Sequence, residues 1–149
     1  MALEYRLVLA GDTPIDQVAE RAFPDVSERP TGAPPRLTAD HLERYGFIVT
    51  VLPGRDGYFD LETDNGSWVW EPKSHVRVHF RLDKFADLRW AVANMLGVVR
   101  RALDAGPEDA IFDFNGEILL FARLDGKFTK HRRGTWWEHY PSGDQLIPG

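Results

Sequence analysis

The sequence predicts an α+β protein: a mainly antiparallel sheet of about six or seven strands with two main helices packed on one face, a two-layer sandwich. Three observations predict it. Residues 75–82 alternate strictly, with Val76, Val78, Phe80 and Leu82 on one side and His75, Arg77, His79 and Arg81 on the other, which is the period of a half-buried strand. Residues 88–103 instead carry an apolar stripe at helical spacing, through Leu88, Ala91, Val92, Met95, Leu96, Val99, Ala102 and Leu103. Two Asn-Gly pairs, 65–66 and 115–116, sit between extended runs and signal hairpins rather than the crossovers of a parallel sheet.

In chain order, residues 3–9 suit a first strand with Leu3, Tyr5, Leu7 and Leu9 on one face. Asp12 or Thr13 is placed to cap a helix with Pro14 in its first turn and an apolar stripe of Ile15, Val18, Ala19 and Ala22, stopped by Pro24. The proline-rich stretch 24–36 is a loop, either a functional flap or, more simply, variable surface. Thr38 is expected to cap a short helix ending at Gly46, and the apolar run 47–52 reads as an interior strand.

The first Asn-Gly hairpin, with residues 65 and 66 central, sets Leu61 opposite Trp70 and Glu62 opposite Val69. Phe59, Leu61, Trp68 and Trp70 then face the core, and Asp60, Glu62, Asp64 and Glu71 face outward. A turn at 72–74 brings the basic row of residues 75–81 against that acidic row, with Glu71 as direct partner and Asp60 and Glu62 one strand further on. Such exposed pairs stabilise by roughly 0–1 kcal/mol each, so plain surface complementarity is the simpler account of them. Gly106-Pro107 stops the long helix, the glycine taking a left-handed conformation. The second Asn-Gly hairpin and a turn at Asp125-Gly126 follow.

Composition narrows the function classes. The 149 residues suit one domain, 1–149, with 43% hydrophobic and 28% charged residues. A net charge of -5 argues against general nucleic-acid binding. No cysteine is present, which removes disulfides, thiolate nucleophiles and zinc–thiolate sites. The apolar start is interrupted by Glu4 and Arg6, so it lacks a signal peptide's core, and no run suits a membrane helix. The chain is read as cytoplasmic, with no membrane partner.

No catalytic constellation stands out. His75 and His79 lie about 13 Å apart along a strand and cannot share a metal, and His41, His131 and His139 lack ligand spacing. No metal, no cofactor and no enzymatic activity are expected. An enzyme of unrecognised type would need at least two of His75, His79, Glu62, Asp60 and His139 to converge within hydrogen-bond reach of one point in a cleft. A small-molecule module would need a pocket between the sheet and the 24–36 loop, lined by Trp68, Trp70 or Trp136.

The closing KHRRGTWWEHYP is the most unusual local composition. Clustered Arg, Trp and Tyr are the residue types of protein–protein hot spots, so Arg132, Arg133, Trp136, Trp137, His139 and Tyr140 are candidate binding residues beside Arg77, His79 and Arg81. The competing reading folds these tryptophans back over an open end of the sheet.

The segments MALEYRL, LAGDTP, RPTG, GRDGY, FRLDKFAD, GPEDA, KHRR and HYP together resemble small actinobacterial-type single-domain proteins grouped with the immunity members of swarming-inhibition (Sit) toxin–immunity systems. The resemblance covers the whole chain. It implies a non-catalytic protein that binds and blocks a cognate toxin protein, and it carries no set of binding residues with it.

Overall fold

The computed structural model describes residues 3–149, in which the alternating stretch forms an interior strand of a nine-stranded, mostly antiparallel open sheet. The strands are β1 (Leu3–Ala10), β2 (Leu37–His41), β3 (Phe47–Arg55), β4 (Phe59–Thr63), β5 (Gly66–Trp70), β6 (Ser74–Leu82), β7 (Ala110–Phe114), β8 (Ile118–Leu124) and β9 (Lys127–Lys130). Their spatial order is β2-β3-β6-β1-β7-β8-β4-β5, with β9 also on β8. The helices are α1 (Ile15–Ala22), α2 (Leu42–Tyr45), α3 (Leu88–Asp104) and α4 (Gly143–Leu146), with one π turn at Arg133–Trp137.

The main core lies between α1, α3 and one face of the sheet. Leu7, Leu9, Val49, Val51, Val76, Val78 and Phe80 meet Ala91, Val92, Met95, Leu96 and Val99 there, all buried. The helical stripe of α3 is as its spacing predicts, except that Leu88 is only partly buried and Val98 is buried as well. Asp87 caps the helix, its carboxylate accepting from the backbone N–H groups of Arg89 and Trp90.

Several local expectations are corrected. Neither Asp12 nor Thr13 caps α1; Pro14 is the N-cap residue, and the Thr13 hydroxyl donates to Glu108. Thr38 lies in β2, donating to the Val49 carbonyl, so the predicted helix shrinks to a single turn. The 24–36 loop makes specific contacts with its neighbours. Glu28 accepts from Tyr45 and pairs with Arg44, and Thr31 bridges to Thr38.

Gly106 does not adopt positive φ. A Cβ there would press on the Glu108 carboxylate and meet the Arg21 guanidinium at 2.7 Å, the far ends of two flexible side chains that would have to shift. Arg123 finishes the α3 terminus instead, donating to the carbonyls of Leu103, Gly106 and Glu108 at 2.7–3.0 Å. Arg123→Ala is expected to cost about 3 kcal/mol by leaving those acceptors short of a charged donor. A loss below about 1 kcal/mol in denaturant unfolding would show that water takes its place.

The largest correction concerns strand pairing. β6 does not lie beside β5; it runs between β3 and β1, and β5 is a sheet edge. The hairpin register moves too, with Leu61 opposite Trp68 and Asp60 opposite Val69. Asp64 and Asn65 form the turn without positive φ, and Gly66 follows at φ +102°, the arrangement of a type I turn closed by a glycine bulge.

The anticipated inward face of the hairpin is apolar as expected, but it serves a second, smaller core. Phe59 and Leu61, with Trp68 and Trp70 at the margin, pack on Val8, Ile111, Leu119 and Ala122, on the sheet face opposite the helices. A bulge between Phe112 and Asp113 in the β7–β8 pairing lets Leu120 and Phe121 both join the helix-side core while Leu119 and Ala122 serve the other. The simple two-layer picture therefore gains a hairpin that covers half of the outer sheet face.

Candidate functional site: the open half of the sheet

The outward residues of β3, β6 and β1 lie side by side in register. Leu52, Arg77 and Val8 form one row, Thr50, His79 and Arg6 the next, and Ile48, Arg81 and Glu4 the third. The hairpin covers Val8, leaving a depression of about 260 Å³ lined by Glu4, Arg6, Leu52, Arg77, His79 and the Asn115-Gly116 turn. Beyond it, Arg81 lines a second depression with Ile48, Leu42 and Phe85. Phe85 is 87% exposed, an unusual position for a large aromatic side chain.

The basic row has different partners from those expected. Arg6 is fixed on fully buried Asp113, with Nη2 at 2.9 Å and Nε at 3.0 Å from one carboxylate oxygen. Asp113 also accepts from the Gly116 N–H. Burial raises the carboxyl's pKa, opposed by Arg6. His79 sits 3.6 Å from Glu4. Arg77 forms no ion pair among the described residues, and its Nε–H is buried without an acceptor. Glu71, Glu62 and Asp60 are not its partners, because their hairpin attaches to β8 instead; Glu62 lies near Arg132, and Asp60 accepts from Ser67.

The tail lies on the other side of the sheet. The Trp137 indole is buried, donates to the Leu120 carbonyl at 3.2 Å, and has the Lys130 ammonium 4.3 Å from its ring centre. Lys130 is itself buried and bonded to Asp144 at 2.6 Å. Trp136 donates to the Tyr5 hydroxyl, which burial pushes well above the ordinary tyrosine range, and Tyr140 is buried beside it. Arg133 and His139 are exposed, while half-buried Arg132 turns back toward the hairpin through its N–H to Asp64. Arg77, His79 and Arg81 thus lie on the outer face, Trp136, Trp137 and Tyr140 pack on the helix side, and Arg132 reaches the hairpin.

A family model described as SitI3-like matches residues 3–141. The chain belongs to the SitI3-like family. No curated protein and no solved structure matches it.

In this SitI3-like chain Asp60 and Glu62 line one open depression with Ser67 and Arg132, while the three histidines of an enzyme reading lie elsewhere, His79 by Glu4, His75 by Phe59 and His139 by Tyr140. No three His, Asp or Glu side chains among the described residues are grouped to hold a metal ion. Among the described residues no helix is long and apolar enough to cross a membrane. A shallow depression does lie between Pro34-Pro35 and the ends of β3 and β6, but Trp68, Trp70 and Trp136 do not line it. Arg6, Glu4, Asp113 and Asn115 were not anticipated as parts of the site. The lone acid in the apolar run AIFDF was their available signal, since a charge amid strand core residues requires a partner.

His75 packs edge-on against Phe59, 6% exposed, with Nδ1 buried and unpartnered. Burial, then Arg77 and Arg6, lower its pKa; burial also lowers those of His79 and His131. The unfolded chain, with histidines near 6.5, therefore binds more protons than the folded one just below that pH. Stability is full above about pH 6.5 and falls as pH drops through the unfolded value toward the lower folded ones. The thermal midpoint is expected to be lower at pH 5.5 than at 7.5, with a smaller difference in His75→Leu. An unchanged or higher midpoint at pH 5.5 would contradict this assignment.

Proposed function

We propose that this chain is a non-catalytic immunity-type protein that binds and neutralises a cognate toxin protein. It acts as one folded unit in the cytoplasm, without a cofactor, through the open half of its outer sheet face. Membership of the SitI3-like family supports the toxin-immunity role. The observation that carries the choice of surface is the uncovered row of Arg77, His79 and Arg81, flanked by Leu52 and Ile48 and leading to exposed Phe85. An apolar strip interleaved with forked cationic donors supplies both contact area and orientation.

Arg133 and His139, exposed in the tail, are candidates for a separate second contact, with Trp136, Trp137 and Tyr140 packed beneath them. The test is co-expression with toxin candidates from neighbouring reading frames. Restored growth together with a co-purifying complex is expected. Failure of every candidate both to be rescued and to co-purify would overturn the reading.

A further inference from the structure

We propose that the depression between β1, β6 and the β7–β8 turn receives an acidic side chain of the partner protein, its carboxylate bound by the Arg77 guanidinium with His79 alongside. The choice of a protein partner rests on the function proposed above; the chemistry of the depression stands on its own geometry.

The depression holds three basic side chains, and their charges are not equally committed. Arg6 is paired with Asp113 and stacks over Phe59 at 5.2 Å. His79 has Glu4 at its edge. Arg77 alone has no carboxylate among the described residues, and its Nε–H faces no acceptor although the atom is buried. That atom has no surface an incoming group could reach, so the carboxylate meets the Nη groups, which form no hydrogen bond among the described residues and are not buried. Leu52 gives that contact an apolar wall on one side, where a charge-assisted bond is strengthened.

A planar carboxylate with two parallel oxygens matches the guanidinium fork. A dianionic phosphate fits less well, because only one cation is unpaired and Glu4 stands at the rim. The groups facing His79 are Glu4 and Arg6 from β1, Arg77 from its own strand and Asp113 from β7; β3 faces it with Thr50 and Leu52, which do not titrate. Burial and the two arginines hold the proton off the ring. An added carboxylate favours its return, so binding strengthens as pH falls.

The test uses the full chain, labelled with ¹⁵N, and follows the Arg77 Nε–H and His79 ring signals. The probes are the capped peptide acetyl-Gly-Asp-Gly-Glu-Gly-amide, its Asn/Gln counterpart and inorganic phosphate. Saturable shifts with the acidic peptide are expected, at least tenfold weaker with the amide counterpart and in Arg77→Gln. Arg77→Lys, which keeps charge but loses the fork, should fall between. Affinity should rise at least threefold from pH 7.5 to 6.0. No saturable shift, an equal response in Arg77→Gln, or tighter binding of phosphate than of the peptide would overturn the proposal. No toxin is needed for this readout, so its failure is separable from failure of the immunity reading.

Discussion

Trp137→Ala is expected to destabilise the fold by about 4 kcal/mol, within the range for truncating buried aromatic side chains. The ring is 1% exposed and forms one wall of the core where α3, β8 and the tail meet. Its removal deletes the indole N–H bond to the Leu120 carbonyl and takes the aromatic face from the buried Lys130 ammonium. Gly143 packs so closely on the ring that a Cβ there would lie 2.9 Å from it, so α4 loses its seat as well. The thermal midpoint should drop by roughly 8–16 °C, and trypsin should cut at Arg132 and Arg133 sooner than in the unaltered chain. If Trp137 were instead a partner contact, the variant would lose binding at unchanged stability, the opposite pattern.

The double change Arg77→Glu and Arg81→Glu should abolish toxin binding while moving stability by less than about 1 kcal/mol. Neither side chain takes part in an ion pair among the described residues, so little folded-state electrostatics is lost. On the proposed binding face, however, two cations become two anions beside Glu4. Placing like charges against an acidic partner costs several kcal/mol, enough to weaken binding by more than a hundredfold. Calorimetric titration with thermal unfolding on the same samples separates the two effects. Retained binding with lost stability would return the basic row to a purely structural role.

Where the sequence carried local periodicity, the fold was legible. The faces of β1 and β6 and the buried stripe of α3 follow from alternation and helical spacing alone, because burial of a continuous apolar face decides them. β2 was not legible, since LTADH has only Leu37 buried and pairs with β3 largely through backbone and the Thr38 hydroxyl. Pairing order was the least accessible. The neighbours of β6 are residues 3–10 and 47–55, and β1 reaches it from far along the chain.

A turn at 72–74 joining two neighbouring strands is the local solution, but the hairpin's aromatic face buries more by covering Val8, Ile111 and Leu119. That single non-local choice removed the acidic partners assigned to the basic row. Alternation alone points to Arg77, His79 and Arg81, whereas Arg6 and Asp113 join the site only through the adjacency of β1 and β7. The tail's tryptophans could be recognised as important, but which surface they serve depended on Leu120 and Tyr5, distant in the chain.

The uncovered half of the outer sheet face is the proposed binding site for a cognate toxin. The most direct measurement is methyl NMR of the full chain with and without the toxin, following Ile48 and Leu52 on that face against Val69 and Leu124 of the hairpin side. Shifts and broadening concentrated at Ile48 and Leu52 are the predicted result. A footprint confined to Val69, Leu124 or the tail, with Ile48 and Leu52 unmoved in a saturated complex, would contradict it.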